Sequence, residues 1–183
     1  RRQRQMCIRD RVKVLHGEQK MVIHNPLPTS ATIKAKSKVT GLVDKGADKG
    51  ALILTERTLK DAESGLDLAT LTSTTFARGN GGYDGPSDEA PRPHKVPERE
   101  PDFAVDLSTL DMAALIYRLS GDYNPLHASP SVARAAGFPK PILHGLCSLG
   151  VAGHAILKGC CDYDAKRLKS LQLRFSSPVY PGE

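Results

Sequence analysis

The 183-residue sequence predicts an α+β fold in which a β-rich half precedes a mostly helical half. Residues 14–86 contain strand-like alternation and turn signals. Residues 105–183 contain three helical patterns followed by one strand pattern. Between these halves, residues 87–104 hold four prolines among charged residues, which is typical of an extended linker. We therefore expect two units joined by this linker.

Three strands are expected in the first unit. Small or apolar residues alternate with polar ones over residues 31–39, which indicates a strand with one buried face. A turn at 44–50, rich in Gly, Asp and Lys, separates this strand from two further candidates at 51–59 and 68–78. The glycine-rich segment 78–86 then ends the regular structure.

The glycine-rich segment resembles a dinucleotide-binding fingerprint only in part. Gly79 and Gly81 have the right spacing, but Asp84 stands where a third glycine is needed. Pro86 and a proline-rich tract follow, so no helix N-terminus is available to receive a pyrophosphate. The sequence therefore excludes a Rossmann-type site.

Three helices and a strand are expected in the second unit. The first helix, at 110–119, carries an apolar face, and the second, at 129–136, begins with a Ser-Pro pair suited to a helix start. The third, at 145–158, is rich in Gly, Ala and Ser, which permits close packing against a sheet. Residues 170–175 then alternate as a strand does.

Composition and charge exclude several classes of partner. Six of the first 13 residues are basic and one is acidic, so this leader carries +5 of the net charge of +6. No aromatic interleaving accompanies it, so we expect no nucleic-acid partner. No apolar run approaches the ~20 residues of a membrane span, and no signal peptide is evident. The four cysteines lack the spacing of a zinc site, so we predict reduced thiols, no metal and no cofactor.

Residues 121–127 place a carboxylate, an amide and an imidazole within six positions: Asp122, Asn124 and His127. Pro125 disfavours helical geometry at Asn124, so the segment is a loop. Asp-x-Asn-Pro is good turn chemistry, whereas a carboxylate and an imidazole can also share the protons of one water. The spacing alone leaves a structural turn and a catalytic loop equally open.

Gly145 favours the catalytic alternative. Pro139 and Pro141 keep the approach to the third helix extended, and a glycine lets a ligand come close to the backbone. The Gly145 N–H would be one of the unpaired donors of the first helical turn, which can stabilise a developing oxyanion. This combination is suited to adding water to an activated double bond. His154, in contrast, is expected to be a packed or surface histidine.

These motifs resemble the type 2 enoyl-CoA hydratases of the MaoC-like group, which include the hydratase unit of peroxisomal multifunctional enzyme type 2. The match extends from about residue 14 to residue 183. The segments that carry it are 15–19, 44–46, 78–86, 117–127, 136–138, 141–147 and 175–183.

The resemblance implies a double hot-dog fold, with two repeats in which an antiparallel sheet wraps a long helix. Residues 14–86 would belong to the first repeat, which accommodates a long acyl chain, and 105–183 to the catalytic repeat. The implied reaction is reversible hydration of trans-2-enoyl-CoA to (3R)-3-hydroxyacyl-CoA. Complete members extend further in both directions, so we expect a chain truncated at both ends, with a leader at 1–12 that is foreign or unstructured and open sheet edges that invite aggregation.

The resemblance also implies residue roles. Asp122 and His127 would be the acid/base pair that activates water, Asn124 would orient that water, and the N–H of Gly145 would bind the thioester oxygen. Positions matching substrate contacts are His16, Gly17, Lys45, Tyr123, Pro125, Leu126 and Phe175. Either Lys45 or Lys49 could take the role given to Lys45, because the Asp-Lys-Gly triplet occurs twice.

Alternatives remain open within the resemblance. The same residues would serve a dehydratase acting on acyl-carrier-protein thioesters, or a hydratase with an atypical acyl substrate. A thioesterase on the same fold is disfavoured by the match of this loop to the hydratase pattern. A non-catalytic acyl-thioester binding module is disfavoured because the carboxylate, amide and imidazole are all present. We expect a homodimer when the protein is complete, cytoplasmic in a bacterium or peroxisomal in a eukaryote.

Overall fold

The computed structural model describes residues 14–87 and 90–183, and its centre is an antiparallel five-stranded sheet. The expected basic leader at 1–13 lies outside the described residues. The strands run in the order β2-β3-β4-β1-β5 across the sheet. Their bounds are β1 (Val14–Ile23), β2 (Ile33–Asp44), β3 (Ala51–Asp61), β4 (Asp67–Ala77) and β5 (Ser170–Arg174).

The strand pattern of the first half is confirmed, with two differences. β1 was not expected as a separate strand, because the register shifts between His16 and Glu18 and interrupts the alternation. β2 continues five residues past its expected end, because a second register shift between Val39 and Gly41 breaks the pattern while pairing continues. Both irregularities are β-bulges, which locally redirect side chains.

The two halves of the chain share one sheet. β5 pairs antiparallel with β1, for example with Leu171 opposite Met21. The expected linker contains no helix or strand over its described residues 90–104. Residues 14–87 contain strands but no helix. Because β5 pairs with β1, the linker does not separate two independent sheets.

Three α-helices follow in the second half: α1 (Ala113–Tyr117), α2 (Pro130–Ala135) and α3 (Gly145–Cys160). α1 is shorter than expected, because the chain tightens into a 3-10 turn at Arg118–Ser120 and then reverses at Gly121, whose φ is +105°. Ser129 precedes α2 as expected, but its hydroxyl contacts that of Ser131 instead of capping a backbone N–H. No helix among the described residues is long and apolar enough to cross a membrane.

α3 begins at Gly145 as expected and lies against the last strand. A Cβ added at Gly153 would lie 3.4 Å from the Leu171 side chain of β5, which is an ordinary van der Waals contact. A larger side chain at this position would push the helix away. The small residues of α3 therefore permit the close packing that the composition predicted.

The main buried cluster fixes the loop of the candidate site. Leu126, Ala133 and Ile142 form its centre, and the partly buried residues around it come from β1, the segment that follows α2 and the C-terminal segment: Leu15, Ala136, Phe138 and Tyr180. Leu126 is only 2% exposed. Burial of such a side chain stabilises the fold by about 1.5–3 kcal/mol. The loop at 121–127 is thus anchored directly to the core.

Asp44, at the end of β2, organises the glycine-rich segment. Its carboxylate accepts N–H bonds from Gly82 and Tyr83, each at 2.7 Å, and from Gly46 at 2.8 Å. These backbone donors, with that of Gly82 the strongest, hold the pKa of Asp44 below its usual value. A Cβ at Gly81 would lie 2.1 Å from the Gly46 carbonyl oxygen, so only glycine fits there. The segment is therefore a folded loop held by a carboxylate.

Candidate active site

The loop at 121–127 is built from two successive side-chain turns. The Asn124 N–H donates to Asp122 Oδ1 at 3.2 Å, and the Leu126 N–H donates to Asn124 Oδ1 at 3.1 Å. The second bond caps a 3-10 helix at Pro125–His127, which has its proline in the first turn. The turn chemistry is therefore present. These turns also bring Asp122 and His127 close together, so a structural turn and a catalytic loop are compatible.

His127 is held in a defined tautomer. Its Nδ1 lies 2.8 Å from the carbonyl oxygen of Ile142, and because a carbonyl only accepts, Nδ1 carries the proton. Nε2 is left with a lone pair for proton exchange. Burial lowers the pKa of His127 from its usual value, opposed by the bond to Ile142 and by the Asp122 carboxylate. The imidazole is therefore neutral at pH 7.

Asp122, His127 and His144 form one cluster. One donor atom from each lies within 4.8 Å of the others, with both imidazoles buried and the carboxylate exposed. A water molecule about 2.8 Å from each of two such atoms would bridge them. The cluster therefore sets an exposed carboxylate close enough to two buried imidazoles for one water molecule to bridge them.

The same three residues are also a common ligand set for a divalent metal. The rings of His127 and His144, however, are stacked, with centroids 3.8 Å apart and planes inclined by 27°. Lone pairs in nearly parallel rings do not converge on one ion at the about 2.0–2.1 Å that zinc requires. The geometry suits proton transfer better than metal coordination.

Gly145 is the first residue of α3 and directly follows His144. Its N–H belongs to the first helical turn, where donors lack intrahelical partners and the helix dipole favours negative charge. A Cβ at Gly145 would lie 3.2 Å from the Phe175 ring. The glycine therefore makes room for this ring as well as for any ligand.

The end of β1 closes the other side of the site. The rings of His16 and Phe175 lie 5.0 Å apart, and the Phe175 N–H donates to the Gly17 carbonyl at 2.9 Å. Burial lowers the pKa of His16, and the Asp122 carboxylate acts on it in the opposite direction. The Phe175 ring also lies beside Gly145, so it joins the start of β1 to the start of α3. Residues 16–17, 122–127, 144–145 and 175 thus meet in one region.

Other sequence-predicted residues lie differently. Lys45 lines an open groove of about 390 Å³ together with Asp44, Lys49 and Asp84, and no residue of the His127 cluster lines that groove. Lys45 and Lys49 both line it, so the structure does not choose between them. Leu126 is buried in the core, where its side chain anchors the loop. Pro125 starts the 3-10 helix.

Tyr123 is exposed, with the Arg118 guanidinium 5.8 Å from its ring centroid.

Three residues around the cluster were not among the predicted site residues. His144 is fully buried, and the Tyr117 ring lies 4.7 Å from its ring. Arg118 acts on both His127 and His144 and opposes their protonation. The position of His144 directly before Gly145 was the available sequence signal.

Comparison with models of known families identifies the family of this chain. Residues 92–183 match the model of the MaoC like domain, and residues 4–79 match that of the MFE-2 hydratase 2 N-terminal domain. A Phytophthora capsici MaoC-like dehydratase of known structure is 46% identical, with a TM-score of 0.84 over 94% of this chain and 60% of that one. The chain therefore belongs to the MaoC-like family.

Two curated relatives illustrate the family. The 3-hydroxyacyl-thioester dehydratase Y of Mycobacterium tuberculosis is 43% identical over 93% of this chain and 59% of its own length. The peroxisomal enoyl-CoA hydratase 2 of Arabidopsis thaliana is 41% identical over 93% of this chain and 57% of its own length. The chain thus spans less than two thirds of the relatives that it matches.

The double hot-dog fold is also shown. A Mycobacterium tuberculosis protein with a double hotdog fold aligns with a TM-score of 0.56 over 93% of this chain and 61% of that one, at 15% identity. At that identity the likeness concerns the fold alone. The antiparallel sheet and the long α3 of the described residues agree with it.

Proposed function

We propose that the chain carries the site of a reversible hydratase that converts a trans-2-enoyl thioester of coenzyme A to the (3R)-3-hydroxyacyl thioester. The observation that carries the proposal is the His127 tautomer, which leaves Nε2 unprotonated in a ring that has one nitrogen within 4.8 Å of an Asp122 carboxylate oxygen. The family names of the relatives, hydratase and dehydratase, describe opposite directions of one such equilibrium. The (3R) outcome rests on the family resemblance.

In the proposed mechanism, water is held between Asp122 and His127, and the Nδ2 amide of Asn124 donates to its oxygen. The water oxygen attacks C3 of the enoyl group while one of its protons passes to His127 Nε2. The pair of electrons released from the double bond moves onto the thioester oxygen, to which the N–H of Gly145 donates a hydrogen bond. The proton held by His127 then passes by way of the Asp122 carboxylate to C2, which completes the product and returns both groups to their resting protonation states.

The electrostatics suit this cycle. The imidazolium formed on His127 is stabilised by the Asp122 carboxylate and destabilised by burial, so the ring returns its proton readily. A preformed oxyanion donor is typically worth ~10²–10³ in rate, and positioned acid–base groups ~10²–10⁴. These contributions are large enough that losing either one would be measurable.

The test is loss of the conjugated enoyl-thioester absorbance when the chain is mixed with trans-2-enoyl-CoA, followed by chiral analysis of the product. We expect Asp122→Asn to lower kcat at least ~10²-fold, because the amide cannot serve in proton exchange. Asp102→Asn is the matched control, since Asp102 is exposed and pairs with Arg99. Near-wild-type turnover in the Asp122 variant would reject the assignment. Binding with unchanged absorbance in the wild type would indicate a non-catalytic thioester module.

A second candidate is a dehydratase acting on an acyl-carrier-protein thioester. It is favoured by the relative named a 3-hydroxyacyl-thioester dehydratase, a name that does not specify the carrier. Measuring kcat/KM for one acyl group on coenzyme A and on a carrier protein separates the two candidates. A higher value on coenzyme A supports the first candidate, and a higher value on the carrier protein supports the second.

The surroundings of the site extend the proposal. We infer that the first half, with His16 and Gly17 on β1 and the facing Phe175, forms the wall along the acyl group, and that Lys45 or Lys49 binds the coenzyme. We also infer a homodimer for the complete protein, in the peroxisome of a eukaryote or the cytoplasm of a bacterium. Light scattering after size exclusion tests the dimer, and a monomer at micromolar concentration would reject it.

A further inference from the structure

His144 lies between two parts of the candidate active site, the loop at 121–127 and the start of α3 at Gly145. Its side chain is 1% exposed, so it offers no surface to a substrate. Its ring stacks on that of His127 on one side, and the Tyr117 ring lies at a tilt of 45° nearby. A polar side chain buried this completely needs a compensating hydrogen bond.

That hydrogen bond goes to the main chain of the catalytic loop. His144 Nε2 lies 3.2 Å from the backbone carbonyl oxygen of Asp122, and because a carbonyl only accepts, Nε2 is the donor. The same residue is the N-cap of α3, with φ −64° and ψ 136°, and its next neighbour is Gly145. One residue therefore connects the carboxylate loop to the helix start.

The His144 ring is neutral in this arrangement. With the proton on Nε2, Nδ1 carries a lone pair, and this buried atom has no hydrogen-bond partner among the described residues. The groups facing the ring are His127, Asp122, Arg118 and Tyr117. Burial and the His127 ring lower the pKa of His144 more than the Asp122 contacts raise it. A proton that His127 takes up during turnover is therefore not repelled by a positive charge on the stacked His144 ring.

We propose that His144 is a positioning residue that holds the main chain of Asp122 and the N–H of Gly145 in a fixed relation, as a neutral Nε2–H imidazole. This inference rests on the proposed hydratase function, because it assigns the geometry of that site. His144 acts through its neighbours and takes no part in proton transfer to substrate. The geometry requires both a ring that stacks on His127 and a donor that reaches the Asp122 carbonyl.

Two substitutions separate these requirements. His144→Phe keeps a stacking ring and removes the donor, whereas His144→Gln keeps an N–H donor and removes the ring. We expect His144→Phe to lower kcat about 10²-fold with little change in KM, since a misplacement of about 1 Å costs that much. His144→Gln should recover at least part of this loss. His154→Phe, on an exposed position of α3, is the matched control and should keep wild-type kcat.

Two measurements keep the inference separate from the proposed function. Nitrogen-15 NMR of the ligand-free chain reports the tautomer, and we expect Nε2–H at His144 and Nδ1–H at His127. Infrared difference spectra of bound saturated acyl-CoA, which cannot be hydrated, report polarisation of the thioester carbonyl. We expect a shift to lower frequency in the wild type that is lost in His144→Phe and partly restored in His144→Gln.

The outcomes distinguish the two ideas. A wild-type carbonyl shift without hydration of the enoyl thioester rejects the proposed function and leaves the positioning role supported by its loss in His144→Phe. Equal carbonyl shifts and equal kcat in wild type and His144→Phe overturn the positioning role. An Nδ1–H or doubly protonated His144 at pH 7 overturns it as well. Circular dichroism shows whether His144→Phe folds. If it unfolds, the tautomer of wild-type His144 and the kinetics of His144→Gln become the test. In His144→Gln, a wild-type KM with a reduced kcat supports the positioning role, and an unchanged kcat with a raised KM contradicts it.

Discussion

Replacing Gly145 with alanine tests how closely the start of α3 approaches the opposite wall. The new Cβ would lie 3.2 Å from two carbons of the Phe175 ring and 3.3 Å from a third. Carbon atoms prefer about 3.5–4.0 Å, so the ring or the helix start must move by a few tenths of an ångström. Such overpacking costs about 1–3 kcal/mol.

An opposing effect comes from the helix itself. Alanine is favoured over glycine by about 0.5–1 kcal/mol inside a helix, and by less at the first residue, where few helical bonds depend on it. The overpacking therefore exceeds the propensity gain, and we expect a net loss of about 0–2 kcal/mol. For a chain of this length that lowers Tm by up to about 4–8 °C.

The effect on activity is larger than the effect on stability. If the Gly145 N–H is the proposed oxyanion donor, its displacement relative to His127 weakens that bond, and we expect kcat/KM for enoyl-CoA to fall about 10²-fold. Gly150→Ala is the control on the same helix, because nothing lies within 4 Å of its new Cβ. That variant should gain about 0.5–1 kcal/mol and keep its kcat.

Thermal denaturation and initial-rate measurements on both variants decide the question. A double variant with Phe175→Leu should recover the stability lost in Gly145→Ala, because the smaller side chain relieves the contact. Wild-type Tm and wild-type kcat/KM in Gly145→Ala would together refute the close approach and the oxyanion role.

Three further predictions follow from the described contacts. Leu126→Ala should destabilise the chain by about 2–5 kcal/mol, read from chemical denaturation, because the side chain is buried in the core; a loss under 1 kcal/mol would contradict that packing. Asp44→Asn should make the free energy of unfolding less sensitive to acid. Because the pKa of Asp44 is lower in the folded chain than its unfolded value of 3.8, its contribution to stability is complete above pH 3.8 and is lost as pH falls through the folded pKa. The free energy of unfolding between pH 5 and 2 should therefore fall less steeply in the variant. The lowered pKa of His127 places the acid limb of kcat/KM below pH 6.5, and a limb above that value would contradict the effect of burial. Because the unfolded chain binds the proton first, this histidine also makes stability decline as pH falls below 6.5, which melting curves at pH 7 and 5 would record.

Local chemistry made the structure of the loop at 121–127 predictable. Pro125 excludes a helix, and the Asp and Asn side chains form their turns with neighbours two residues away. Such contacts depend only on adjacent sequence. The start of α3 at Gly145 was equally accessible, because prolines and a glycine mark the boundary.

Long-range contacts were not accessible from the sequence pattern. The bulge near Gly17 hides β1, and nothing near Asp44 indicates that its carboxylate binds residues almost 40 positions away. His144 is a similar case, because its role depends on the fold bringing Asp122 and His127 beside it. Local propensity describes neighbours along the chain, whereas these residues act through neighbours in space.

The pairing of β5 with β1 has a consequence for how the site forms during synthesis. The two strands are separated by about 150 residues, and Phe175 reaches His16 and Gly17 only through this pairing. Closing so long a loop is slow compared with forming local turns. The loop at 121–127, whose turns need only adjacent residues, is thus made before Phe175 comes to face it through the β5–β1 pairing. A nascent chain stopped before residue 170 would carry Asp122 and His127 but not the Phe175 ring that lies beside His16.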